Sequence, residues 1–123
     1  MKKELADRKD IEKLVNTFYS KALMDEKLGP FFNKIPKERW EKHLHVMYNF
    51  WENVIFFTGT YEGNPMAAHR KVNKEQPMHP EDFHQWINLF TKTVDDLFFG
   101  EKAEFTKQRA ISIATVMQIK LEE

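Results

Sequence analysis

PEDFHQWINLFTKTVDDLFFG, residues 80–100, is the stretch from which the fold can be read. Pro80 suits the first turn of a helix, where its missing N–H costs nothing. Glu81 and Asp82 follow at the positive end of the helix dipole. Phe83, Trp86, Ile87, Phe90, Val94, Leu97 and Phe98 then recur at steps of three and four, the period of one buried helix face. Gly100 supplies the stop. A long amphipathic helix with an aromatic stripe needs other helices to cover it.

The flanking sequence provides them. Towards the C-terminus, a helix is expected from about Lys102 to Leu121, with Phe105, Ala110, Ala114, Met117 and Leu121 on one face. Near the N-terminus, Ile11, Leu14, Val15, Phe18, Tyr19, Ala22 and Leu23 predict a helix over about residues 10–26, capped by Asp10 and ended by Gly29-Pro30. A short turn, Leu28 to Asn33, carries Phe31 and Phe32. Pro36 opens a further helix whose stripe is Trp40, Leu44, Met47, Phe50, Trp51 and Val54, fading near Thr58-Gly59-Thr60. Asn64-Pro65 is suited to begin a short helical piece carrying His69, and residues 70–76 are polar loop. No strand-period segment or repeat is evident. The expectation is an all-α chain of four long helices and one short one, forming a single domain over residues 1–123.

Composition narrows the function. Lys plus Arg and Asp plus Glu are 19 each, so no basic excess exists to hold nucleic acid. There is no cysteine, which excludes thiolate metal sites, disulfides and haem attachment through Cys-x-x-Cys-His. The charged N-terminus has no apolar leader, and no apolar run is long enough to span a bilayer. A cytoplasmic protein that binds neither membrane nor nucleic acid is expected. Aromatic residues make up 14% of the chain, with 11 Phe and 3 Trp, more than a plain helical core requires. A flat apolar cofactor would use such walls.

The histidines are His43, His45, His69, His79 and His84. Only Glu81 to His84 matches the Glu-x-x-His of a di-iron bundle, which needs two such matches. The zinc-protease motif, the serine-nucleophile elbow and nucleotide-binding glycine loops are absent. A haem site asks for less: one neutral imidazole, an apolar slot and a hydrogen-bond donor opposite. His69 follows a Gly-x-Pro turn, His43 shares a helix stripe with Met47 and Phe50, and Tyr19 and Trp86 are donors among apolar neighbours. Taken singly, each has an ordinary alternative. His69, His45, His79 and His84 also fit the surface, and Tyr19 and Trp86 also fit a core whose polar tips reach a carbonyl.

The order of motifs is more specific. Phe18-Tyr19, Leu28-Gly29-Pro30-Phe31-Phe32, Trp40-x-x-His43, Asn49-Phe50-Trp51, Gly63-x-Pro65-x-x-x-His69 and Phe83-x-x-Trp86 together resemble the truncated haemoglobins, most closely their third group. The resemblance covers about residues 10–121 and implies a two-over-two helical sandwich. It implies haem b, with His69 as the proximal iron ligand. It makes Tyr19, His43 and Trp86 distal residues that stabilise or gate a ligand, and sets Phe32 against the haem face. Met47, Phe50, Trp51, Met66 and Phe83 complete the expected wall.

Two departures matter. The run Arg70-Lys71-Val72-Asn73-Lys74 replaces the family's usual apolar residues, and Gln85 stands where Arg often precedes the distal tryptophan. Both lie near the expected haem edge, leaving Arg70 and Lys71 as candidate propionate partners. The implied function is ligation of O2 or another diatomic gas by a monomer, with redox chemistry on the ligand if a separate reductase supplies electrons. The alternatives are a haem enzyme of peroxidase-like or nitric oxide dioxygenase type, and a cofactor-free helical interaction module.

Overall fold

In the computed structural model, the described residues are 2–59, 69, 73–74 and 77–122. Helix α1 spans Arg8–Met24, α2 is the short turn Gly29–Phe32, and a 3-10 turn at Lys37–Arg39 leads into α3, Trp40–Phe56. Helix α4 is Pro80–Leu97 and α5 is Glu101–Glu122. The layers are α1 with α3 and α4 with α5, and α1 bridges them through its packing on α4. This is the expected two-over-two arrangement. Among the described residues no helix is long and apolar enough to cross a membrane.

The α1 start differs from expectation. Asp7, not Asp10, is the N-cap, and Asp10 occupies the third helical position of a capping box. The Asp10 carboxylate accepts from Ala6 N–H at 2.8 Å and from Lys3 Nζ at 3.0 Å. Burial alone would raise its pKa, but these bonds and the Lys3 charge outweigh burial and hold it below the usual carboxylate value. The same N-terminal segment pairs with the far end of α4. Lys3–Glu4 (β1) lies parallel to Phe98–Phe99 (β2), so Phe98 leaves the predicted helix for a strand. Gly100 turns the chain into α5 at φ 99°, a left-handed conformation that glycine adopts without strain.

Gly29-Pro30 likewise opens a helix rather than merely ending one. Asp25 closes α1, and its carboxylate then accepts from Lys27 and Leu28 N–H, both at 3.0 Å. A Cβ at Gly29 would stand 2.9 Å from the Leu23 carbonyl oxygen, so only glycine permits this corner. The corner places Phe31 and Phe32 beside α1. The core joins Ile11, Leu14, Val15 and Phe18 of α1 to Tyr48, Trp51 and Ile55 of α3 and to Phe90 and Val94 of α4. On α5, Ala103, Thr106, Ala110, Ala114 and Met117 are buried, while the predicted Phe105 is half-buried. Small side chains there let α5 approach α4 closely, and the Thr106 hydroxyl is satisfied by the Lys102 carbonyl at 2.7 Å.

Candidate functional site

A cavity of about 420 Å³ opens between the layers, in the size range of small-molecule pockets. Each helix reaches it. Helix α1 gives Tyr19, α2 gives Phe32, α3 gives His43, Met47, Phe50 and Trp51, and α4 gives Phe83 and Trp86. His69 borders it from the segment between α3 and α4. Nine residues singled out from sequence thus surround one space. The slot expected between the second and third long helices also takes a wall from α5, through Ile113, Ala114 and Met117. Met66, Arg70 and Lys71 lie outside the described residues.

Tyr19 is the centre of an aromatic cluster. Its ring meets Phe32 edge-on at 5.1 Å, Phe18 and His43 at 5.3 Å and Trp40 at 5.5 Å. Such edge-to-face contacts fix the ring's direction as well as burying it. Its Oη lies 3.1 Å from His43 Nε2. Burial pushes the phenol's pKa well up, so Tyr19 keeps its proton and remains a donor. His43 moves the other way: burial first, and the His69 charge second, hold it below the ordinary histidine value. A neutral His43 shares one proton with Tyr19 in either of two ways. Donation from Nε2–H to the phenol oxygen leaves the Tyr19 proton free to turn into the cavity.

Trp86 stacks on Phe90 with centroids 5.1 Å apart and planes within 6°, and Trp51 stacks on Phe90 at 4.7 Å. These flat, parallel rings form one wall of the slot. Among the described residues no hydrogen bond engages the Trp86 indole N–H. His45 and His84 are exposed, and His79 caps α4 with its side chain largely outside. Among the described residues no three His, Asp or Glu side chains converge as a carboxylate metal cage would require.

Gln85 does not lie along the cavity as its neighbour Trp86 does. Its amide donates to Asp25 Oδ1 at 2.6 Å, tying the α1–α2 corner to α4. Asp25 thereby holds α2, and hence Phe32, over the slot. Sequence reasoning missed this link because 60 residues separate the partners. It also read Met117 and Ala114 as plain core. Their place on the buried face of the last helix was visible, but that face also meets the cavity.

An apolar slot walled by flat rings and bordered by two imidazoles, with the Tyr19 hydroxyl beside one of them, fits a haem and a small polar ligand. No family model matches the chain. The chain is 32% identical over 122 residues to the group 3 truncated hemoglobin ctb of Campylobacter jejuni, covering 96% of this chain and 93% of that protein. The crystal structure of a group III truncated hemoglobin from Campylobacter jejuni superposes with a TM-score of 0.87 at 32% identity, over 98% of this chain and 95% of that one. Chlamydomonas reinhardtii THB1 shares the fold, with a TM-score of 0.73 at 24% identity over 92% of this chain and 90% of that one.

Proposed function

This chain belongs to the group 3 truncated haemoglobins, and on that footing we propose that it is a haem-binding globin whose cavity receives a diatomic gas. The cofactor is haem b, and O2 is the leading ligand. The observation that carries the reading is that His69 and His43 border one apolar cavity, with the Tyr19 hydroxyl 3.1 Å from His43. When bound, haem iron supplies the position at which the gas is ligated.

The chain's own residues do the rest. His69 offers a ring nitrogen to the metal, and its second nitrogen, held by a carbonyl or water, fixes the tautomer. Phe32, Phe50, Trp51 and Phe83 exclude water, which strengthens every polar contact inside. Tyr19 offers an O–H and Trp86 an N–H donor to a polar ligand, and His43 gates the approach while orienting Tyr19. Two donors favour slow release of O2. A carrier must unload, so the pocket suits redox chemistry or sensing better than transport, with a separate reductase as electron source in the redox case.

The test is the absorption spectrum of the purified protein and of His43→Leu. An intense Soret band with a five-coordinate ferrous state in both proteins supports the reading. A ligand-free ferrous protein that is six-coordinate and low-spin, and loses that state in His43→Leu, would make His43 a second ligand and contradict the gating role. A colourless protein that takes up no added haem would favour the helical interaction module.

A further inference from the structure

Helices α1 and α3 pass each other in opposite directions, joined by three polar rungs. At one end Arg8 Nη1 donates to Asn49 Oδ1 at 2.8 Å and to Glu52 Oε1 at 3.0 Å. In the middle the Tyr48 hydroxyl donates to Asn16 Oδ1 at 2.5 Å. At the cavity end stands the Tyr19–His43 bond at 3.1 Å. We propose that the Asn16–Tyr48 pair is a positioning device that holds the Tyr19 hydroxyl in register with His43, and so sets where the pocket's donor sits. This rests on the reading of the cavity as a gas site.

Neither member of the middle rung lines the cavity, so any effect on a ligand must pass through another residue. Asn16 stands three positions before Tyr19, about 4.5 Å along the helix axis, so the two share nearly the same displacement of α1. Tyr48 is fixed on every side. Its ring is only 7% exposed, the Arg8 guanidinium lies 5.6 Å from the ring centroid, and its hydroxyl makes the shortest of the three rungs. The Tyr19–His43 bond has less margin. At 3.1 Å it is already near the long end of a hydrogen bond, so an axial slide that lengthens or misaligns it weakens it first. The middle rung is the nearest polar contact that opposes such a slide. Packing of apolar ridges alone tolerates small sliding, whereas a short hydrogen bond between fixed groups does not.

The experiment uses the full-length, haem-loaded ferrous protein and three substitutions. Asn16→Ala and Tyr48→Phe break the rung, and Asn16→Asp keeps an acceptor in the same place. Readouts are O2 and CO release by stopped flow and the infrared stretching frequency of CO in the pocket, which reports the donor's position. Asn16→Ala and Tyr48→Phe are expected to speed O2 release about fivefold, the value of one ordinary hydrogen bond. CO release should stay unchanged, the CO band should shift, and Asn16→Asp should behave as wild type. In a Tyr19→Phe background, Asn16→Ala should add nothing further. Equal changes in O2 and CO release would mark the rung as mere support of the fold and overturn the proposal. So would additive effects in the Tyr19→Phe background. Asn16 is exposed, so its variants carry the test even where Tyr48→Phe folds poorly. If Tyr19→Phe speeds O2 release and Asn16→Ala does not, the positioning role alone is overturned. If Tyr19→Phe leaves O2 release at the wild-type rate, the gas-site reading fails and this inference with it.

Discussion

Replacing Tyr19 with Phe removes one hydroxyl and little else. The ring contacts with Phe32, Phe18, His43 and Trp40, at 5.1 to 5.5 Å, are all available to phenylalanine. The fold loses the 3.1 Å bond to His43, worth about 1 kcal/mol net. The effect on a polar ligand is larger. A hydrogen bond to a charged acceptor is worth roughly 1.5–3 kcal/mol, and each 1.4 kcal/mol is about tenfold. Tyr19→Phe should therefore speed O2 release by roughly ten- to a hundredfold, mostly through the off-rate, while CO release changes little. Because burial raises the Tyr19 pKa, the slow wild-type release should persist from about pH 6 to about pH 9. Stopped-flow release of both gases, with urea unfolding as a control, is the assay. Unchanged O2 release in Tyr19→Phe would refute the reasoning, as would O2 and CO release rising together.

Other perturbations test other links. Trp86→Phe keeps the ring stack on Phe90 but deletes the indole N–H, so O2 release should quicken with little loss of thermal stability. Gly29→Ala forces a Cβ to within 2.9 Å of the Leu23 carbonyl oxygen and should cost about 1–3 kcal/mol in urea unfolding. It should also quicken haem loss, because the α2 corner carries Phe32. Asp10→Asn weakens the bonds from Lys3 and Ala6 and should cost about 1–3 kcal/mol at pH 7. Because the folded-state pKa of Asp10 is depressed, the wild-type advantage is full above the unfolded value of 3.8 and fades as pH falls below it. An acid series of unfolding curves on both proteins checks the convergence.

The helices were legible because their signals are local and repeated. Pro80 with Glu81 and Asp82 marked the start of α4 correctly, and the stripe from Phe83 to Val94 is its buried face. What escaped was non-local. Two-residue strands have no period, so the pairing of Lys3–Glu4 with Phe98–Phe99 left no trace in the pattern. Asp7 and Asp10 are both acceptable caps by residue type, and only the bonds to Ala6 and Lys3 assign them different work. Tyr48 and Ile55 sit deep between α1 and α3, offset from the stripe that Leu44, Met47 and Val54 suggested. The candidate site was suggested by motif order rather than by any single residue. His69, His43, Tyr19 and Trp86 gain meaning because they share one cavity, and the Gln85–Asp25 tie shows how one departure from the family pattern is absorbed structurally.

The central claim is that His69 holds the iron. Its most direct test is the ferrous absorption spectrum of His69→Ala made in a His43→Leu background, so that the second imidazole bordering the cavity cannot substitute. The account predicts that His43→Leu alone keeps a normal five-coordinate spectrum, that adding His69→Ala abolishes it, and that free imidazole in the buffer restores it. A double variant whose spectrum matches that of His43→Leu without added imidazole would contradict it.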